Sequence, residues 1–261
     1  MFTSPSQIIF SINGLNIYWY GIIMALAIAV GTLVSDWIGA KYFELKKEII
    51  IDMAPYLIIF GIIGARIYYC LMDFNFYAKF PSEILALRHG GISIHGAIIG
   101  GIIGLIIFAK RHNLSIKKLC DVSCIGLVLG QAIGRWGNFF NSEAYGTPTN
   151  LPWKLYIAPQ YRQIPFQDTE FFHPTFLYES ILDLTIFGLL IYFVKTSKFK
   201  KKGNLALLYL VMYSFARIIV ESCRIDSVRY IFGLPVAIVV SAGIIVLSAI
   251  LFYINNKKVT E

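Results

Sequence analysis

The chain has 261 residues, 57% of them hydrophobic and only 15% charged, with a mean hydropathy of +0.67. A soluble domain carries about 25% charged residues, so a water-soluble globular fold is excluded. The formal net charge of +8 reads as asymmetry between membrane loops rather than as a nucleic-acid surface, and no nucleic-acid partner is expected.

Apolar residues fall in long blocks, and several reach the ~20 residues that a bilayer crossing needs. In chain order, seven spans are predicted at about 17–37, 51–72, 91–109, 119–137, 175–195, 204–222 and 235–254. The expected fold class is all-α: a polytopic membrane protein with seven transmembrane helices, forming a single transmembrane domain over 1–261. The first sixteen residues contain no Lys or Arg, so no cleavable signal peptide is expected. Basic residues then sort by side. Lys41, Lys46, Lys47, Lys110, Arg111, Lys117, Lys118, the lysines of 195–202, Lys257 and Lys258 gather on one face. Only Lys79, Arg88, Lys154, Arg162, Arg224 and Arg229 fall on the other. The positive-inside rule puts the first group in the cytoplasm, the N-terminus outside and the C-terminus cytoplasmic.

Two outer loops are long. Residues 73–90 mix aromatics with single charges and suit an interfacial arm. Residues 146–174 carry Pro148, Pro152, Pro159, Pro165 and Pro174, which forbid a continuous helix. Their aromatic content favours a small ordered cap. Two glycine ridges, Gly96/Gly100/Gly104 and Gly126/Gly130/Gly134, are expected to bring the third and fourth spans together. There is no internal repeat of the kind common in secondary transporters. Cys70, Cys120, Cys124 and Cys223 read as buried small hydrophobes.

Polar groups converge on one depth. Arg66, Arg135 and Arg217 lie roughly 20–24 Å along their spans from the cytoplasmic end, in the outer half of a ~30 Å core. Tyr20, His95 and Glu179 sit near the outer ends of theirs. Tyr213, Ser214, Arg217, Glu221 and Arg224 form one helical stripe, Gln131, Arg135 and Asn138 a second, Glu179 and Asp183 a third. Intramembrane arginines are functional candidates by default, and a guanidinium suits a lipid phosphate. Asp121, near the cytoplasmic end, reads as a cap or loop contact. Among the histidines, His112 and His89 belong to loops and His173 anchors one. His95 stands among glycines that permit close approach, in Gly90-Gly91-Ile92-Ser93-Ile94-His95-Gly96. No histidine or carboxylate pair has ligand spacing, so no metal is expected.

The most informative stretch is Gly134-Arg135-Trp136-Gly137-Asn138-Phe139-Phe140-Asn141-Ser142-Glu143-Ala144-Tyr145-Gly146. It resembles the signature of the prolipoprotein diacylglyceryl transferase family of bacterial inner-membrane enzymes, Gly-Arg-x-Gly-Asn-Phe-x-Asn-x-Glu-x-x-Gly, with every fixed position filled. Trp19-Tyr20-Gly21, Gly64-Ala65-Arg66, Ser93-Ile94-His95-Gly96, the His173–Glu179 run and Arg217–Glu221 extend the resemblance over the whole chain. Phe176 stands where the family often has glutamine.

The resemblance implies transfer of the diacylglyceryl group of phosphatidylglycerol to the lipobox cysteine thiol of a prolipoprotein signal peptide. A thioether forms and glycerol phosphate leaves, with no cofactor. It implies a multi-pass protein of the bacterial cytoplasmic membrane whose active site faces the outer leaflet. Carried over, His95, Arg135, Glu143, Arg217 and Tyr20 match catalytic positions. Arg135, Asn138, Asn141, Gly146, Arg217 and Arg66 fall to phosphatidylglycerol binding. His95 is the expected thiol base, with Glu143 or an arginine-perturbed environment of the thiol as the alternatives. An anion transporter and a metal-dependent lipid phosphotransferase are the rival readings; the sequence lacks the symmetry of the one and the clustered aspartates of the other.

Overall fold

The computed structural model describes residues 1–12, 14–86, 90–196, 201–226 and 230–257. His89 and the basic residues Arg88, Lys198, Lys200, Arg229 and Lys258 lie outside the described residues. The fold is mostly helical: α1 (Trp19–Tyr42), α2 (Ile49–Met72), a short α3 (Phe74–Lys79), α4 (Ile94–Arg111), α5 (Ile116–Asn141), α6 (Thr175–Lys195), α7 (Asn204–Glu221) and α8 (Val236–Lys257). Among the described residues six of these, α1, α2, α4, α6, α7 and α8, are long and apolar enough to cross a membrane. The remaining predicted span, 119–137, coincides with α5, which is the longest at 26 residues but not among the six. Lys117, Lys118, Asp121, Gln131, Arg135, Asn138 and Asn141 are the reason.

Residues 35–123 form one compact unit. Its α2 and α4 meet backbone to backbone. A Cβ on Gly96 would overlap the Gly64 carbonyl, one on Gly100 the Phe60 carbonyl, and one on Gly104 would lie 2.7 Å from the Tyr56 carbonyl oxygen. At the far end Leu45, Ile49, Met53, Phe108, Leu119 and Val122 close an apolar core. Asp36 sits beside this core and accepts from the backbone N–H groups of Glu48 (3.0 Å) and Ile50 (3.1 Å). It thereby satisfies donors that the first turn of α2 leaves orphaned.

Residues 1–34 and 124–261 form the other unit. Here the Gly126/Gly130/Gly134 ridge seats on α1. A Cβ on Gly31 would come within 2.6 Å of the Gly126 carbonyl oxygen, and Gly130 and Gly134 face Ala27 and Met24. The expectation that the two ridges join the third and fourth spans is therefore corrected: the first pairs with α2 and the second with α1. Close approach needs small residues on both partners, and Gly64 on α2 and Ala27 and Gly31 on α1 supply them.

Over 146–174, where the sequence suggests a cap, short strands join one from the start of the chain. A three-stranded sheet has the order β1 (Phe2–Thr3), β4 (Leu155–Tyr156), β5 (Phe171–Phe172), with β1 parallel to β4 and β5 antiparallel. Tyr145, Leu155, Ile157, Phe172 and Phe176 form its core. The N-terminal ammonium donates to the Pro152 carbonyl at 3.0 Å, and Gln7 Nε2 to that of Asn141 at 3.0 Å. The start of the chain is thus sewn into the cap and onto the end of α5. A hairpin of β2 (Ile8–Ile12) and β3 (Leu15–Tyr18) leads directly into α1, and β6 (Tyr230–Ile231) with β7 (Leu234–Pro235) directly into α8.

Candidate active site

The end of α5 reverses sharply. Ser142 and Ala144 both take left-handed backbone conformations, φ 53° and 55°. For side chains with a Cβ each costs on the order of 1–3 kcal/mol, a strain that clusters at functional sites. The turn brings Glu143 back over its own helix, where its Oε1 accepts from Asn138 Nδ2 at 2.9 Å and Asn141 Nδ2 at 3.3 Å. Both asparagines of the signature therefore orient its exposed carboxylate. Tyr20, on α1, packs its ring onto Gly137, where a Cβ would lie 2.8 Å from the Tyr20 Cδ2. It stands within electrostatic range of Glu143 and Arg135.

Beside this loop three guanidiniums converge on one carboxylate. Glu179 of α6, 6% exposed in its side chain, meets Arg135 of α5 at 2.5 Å, Arg217 of α7 at 3.3 Å and Arg224 at 3.2 Å. Arg217 also pairs with Glu221 at 2.7 Å, one turn along α7, and Arg224 chelates Asp226 through bonds of 2.8 and 2.5 Å. Three cations thus face Glu179, Glu221 and Asp226. Burial works against the charge on Arg224, but the hydrogen bonds and charge of Asp226, with Glu179 and Glu221, raise its pKa above the ordinary arginine value. Asp183, one turn beyond Glu179 and 2% exposed, has a carboxylate oxygen with no hydrogen-bond partner among the described residues.

Arg135 and Arg217 each keep about a fifth of their side chain accessible, which leaves room for an incoming anion. Their hydrogen-bonding forks match the oxygens of a phosphate. The sequence stripe of Tyr213, Ser214, Arg217, Glu221 and Arg224 already holds both arginines and Glu221, and Glu179 heads that of α6; Asp226, beyond the helix, lies on no stripe and was given no role.

Two residues expected at the lipid have protein partners. Arg66, expected at the lipid phosphate, has its guanidinium surrounded by backbone carbonyls. Nε donates to Ile84 at 2.9 Å, Nη1 to Gly90 and Gly91 at 2.6 and 2.7 Å, and Nη2 to Glu83 at 2.5 Å and Ala86 at 3.5 Å. All five N–H donors are engaged, and none remains for a ligand. Gly146 is likewise buried, not ligand-facing. Its N–H donates to the His173 carbonyl at 2.9 Å, while the next N–H, of Thr147, reaches that of Cys223 at 2.8 Å. A Cβ there would meet Cys223 O and His173 Cβ at 2.8 Å and Thr175 Cγ2 at 3.0 Å. Gly146→Ala is expected to lower stability by about 1–3 kcal/mol, the usual cost of overpacking. Thermal unfolding of the purified variant checks this; an unchanged midpoint would remove the packing role.

His173 anchors the cap. Its Nδ1 is 3.0 Å from the Tyr178 hydroxyl, which accepts from Trp153 Nε1 at 3.0 Å. Tyr145 donates to the Tyr161 carbonyl at 2.8 Å, and burial pushes its phenol pKa up, partly offset by the hydrogen bond from the Gln163 N–H. His95 is the second residue of α4 in the 35–123 unit, exposed, with its ring 5.9 Å from that of Tyr68. Among the described residues no group of three or more His, Cys, Asp or Glu is arranged to hold a metal ion.

Residues 7–254 match the model of the family described as Prolipoprotein diacylglyceryl transferase. The chain is 46% identical over 231 residues to the phosphatidylglycerol–prolipoprotein diacylglyceryl transferase of Trichormus variabilis, covering 87% of this chain and 82% of that protein. It is 44% identical to the protein of the same name from Acaryochloris marina, with 87% and 82% coverage. It is 42% identical over 267 residues to that of Synechocystis sp., with 100% and 94% coverage. With Glu143 folded back over the Gly-Arg-x-Gly-Asn-Phe end of α5 and similarity reaching almost end to end, the chain belongs to the prolipoprotein diacylglyceryl transferase family.

Proposed function

We propose that the loop 138–146 and the arginines around Glu179 form the site at which a diacylglyceryl group is moved from phosphatidylglycerol to the lipobox cysteine thiol of a prolipoprotein. The protein is a membrane transferase of lipoprotein biosynthesis. The observation that carries the site is the convergence of Arg135, Arg217 and Arg224 on the single carboxylate of Glu179. Glu179 holds three guanidiniums of like charge around one point and keeps them aimed there before any lipid arrives.

The chemistry follows from that arrangement. A thiolate attacks the terminal glyceryl carbon, a C–S bond forms, and the C–O bond to phosphate breaks. As it breaks, negative charge grows on the departing glycerol phosphate, and Arg135 and Arg217 stabilise it in a site poor in water. The substrate thiol has a pKa near ~8.5, so a base raises its reactive fraction. His95 is the group assigned to that step. Glu143, fixed by Asn138 and Asn141, is placed to hydrogen-bond lipid hydroxyls.

The same reading extends to topology. α5 is the seventh span, tolerated despite its polarity because that polarity belongs to the site. The N-terminus, the 73–90 arm and the 146–174 cap face outward, the site opens to the outer leaflet, and the C-terminus lies in the cytoplasm. In a cysteine-free background, a single cysteine at position 160 is expected to react with an impermeant maleimide in intact cells, and one at position 202 only after lysis. Efficient labelling at 202 in intact cells would reverse the orientation.

The activity is tested by incubating purified protein with labelled phosphatidylglycerol and a lipobox peptide. Label is expected on the peptide and not on a control with Cys replaced by Ser. Transfer to the serine peptide, or none to either, would overturn the reading.

A further inference from the structure

Helix packing accounts for Gly64, but Arg66, two residues on in α2, belongs neither to that packing nor to the arginine network. Consecutive residues of α2 build the entrance to α4. Gly64 gives its carbonyl to close contact with Gly96. The Ala65 carbonyl accepts from the Ser93 N–H at 3.1 Å. The Arg66 guanidinium fills a cage of carbonyls from Glu83, Ile84, Ala86, Gly90 and Gly91. Tyr68 stands against His95, and Tyr69 against Gly91.

The cage is built for this cation. Gly90 and Gly91 have φ of 83° and 77°, the left-handed conformation that suits glycine, and they turn both carbonyls inward. A Cβ on Gly91 would lie 2.7 Å from Arg66 Nη1. The Tyr77 ring covers the guanidinium at 5.3 Å, and Arg66 is 6% exposed. Without the guanidinium those inward carbonyls lose their donors, an outcome that favours refolding of the loop. Only Ile92, Ser93 and Ile94 separate Gly91 from His95, and the Ser93 N–H is held by the Ala65 carbonyl, so the cage and the start of α4 are joined by a short tether.

We propose that Arg66 is a positioning residue of the transfer reaction: caged by the carbonyls of Glu83, Ile84, Ala86, Gly90 and Gly91, it fixes where α4 begins and so where His95 stands. The proposal rests on the reading of His95 as the thiol base.

The test compares Arg66→Ala and Gly91→Ala, which disturb the cage from opposite sides, with wild type and with His95→Gln. Rates are expressed per phosphatidylglycerol-binding site, so loss of folded protein does not count. Both cage variants are expected to lose about 10²-fold in single-turnover rate, the penalty of a ~1 Å misplacement. Their KM for phosphatidylglycerol stays unchanged, and amide exchange at Ser93 and His95 quickens. Methylguanidinium restores Arg66→Ala but not Gly91→Ala. A lipobox peptide carrying selenocysteine, whose selenol ionises without a base, should react at nearly wild-type rate with both variants, an outcome that a merely structural defect would not produce.

A raised KM with an unchanged rate would return Arg66 to the lipid phosphate. Unchanged exchange at Ser93 and His95 overturns the proposal whatever the activity does. If only the assignment of His95 as base is wrong, exchange still quickens in the cage variants, but His95→Gln transfers at wild-type rate and selenocysteine rescues none of the variants.

Discussion

Arg135→Lys is expected to lower turnover by ~10²–10³-fold, the loss that follows removal of one preorganised donor to a developing anion. Net charge is unchanged, and Glu179 keeps Arg217 and Arg224 as partners. The network therefore retains its balance, and the bundle is expected to stay folded. What disappears is the planar fork. Arg135 spans 2.5 Å to Glu179 while leaving further N–H groups for a phosphate oxygen; a lysine ammonium at that distance is a point charge that cannot hold both in fixed directions. Arg217→Lys breaks a second fork, shared between Glu179 and Glu221, and should behave similarly. Turnover of each variant is measured beside its thermal midpoint. If both retained near wild-type turnover in well-folded protein, the phosphate clamp would be wrong. Charge-removing variants are less informative: truncating one partner of a buried pair costs about 3–5 kcal/mol in stability and would confound the rate.

The parts legible in the sequence are those set by local pattern. The seven predicted spans each coincide with a helix, because hydrophobic run length is a one-dimensional property. The stripes of α5, α6 and α7 set Arg135, Glu179 and Arg217 each on a polar face of its own helix, because a helix fixes which residues share a face, and their common depth in the span put them at one level. What the sequence hid was pairing between elements. A glycine ridge announces close approach without naming its partner, so the ridges of α4 and α5 were expected to face one another and instead face α2 and α1. Arg66 was indistinguishable from Arg135 by depth and charge. Only the loop that closes over it reveals that its partners are carbonyls, which no side-chain pattern reports. The N-terminal strand in the cap sheet was hidden for a similar reason. Two residues, Phe2 and Thr3, carry no periodicity, and their pairing with Leu155 and Tyr156 is set by chain return across more than 150 residues.

Glu179 explains why the site is made of more parts than phosphate binding requires. Three guanidiniums crowded without an anion would repel one another and open the bundle. With Glu179, Glu221 and Asp226 present the charges match, and the arginines are held in place at rest. In the proposed reaction a phosphodiester would have to share guanidiniums already partnered, which favours moderate ground-state binding and would reserve the stronger interaction for the doubly charged leaving group, where it accelerates the chemical step.

His95→Gln carries the other large expected effect, a fall of ~10²–10⁴-fold in the chemical step, the usual contribution of a positioned base. The histidine is exposed at the start of α4, its ring 5.9 Å from that of Tyr68, and it has no share in the apolar packing of α4, which runs through Gly96, Gly100 and Gly104. Substitution should therefore leave the thermal midpoint close to wild type. Binding of phosphatidylglycerol should also survive, since the proposed site assigns it to Arg135 and Arg217. The diagnostic is the response to pH. With its base gone, the reaction depends on spontaneous ionisation of the peptide thiol, so the rate of the variant should climb tenfold per pH unit up to about pH 8.5 and level off there. Wild type, with a base that takes the proton, should rise less steeply over the same range. Single-turnover rates, lipid binding and thermal unfolding on the same preparations separate a lost base from a lost fold. Intact binding and stability with a rate barely reduced would remove His95 from the mechanism and make Glu143, already fixed by Asn138 and Asn141, the group to substitute next.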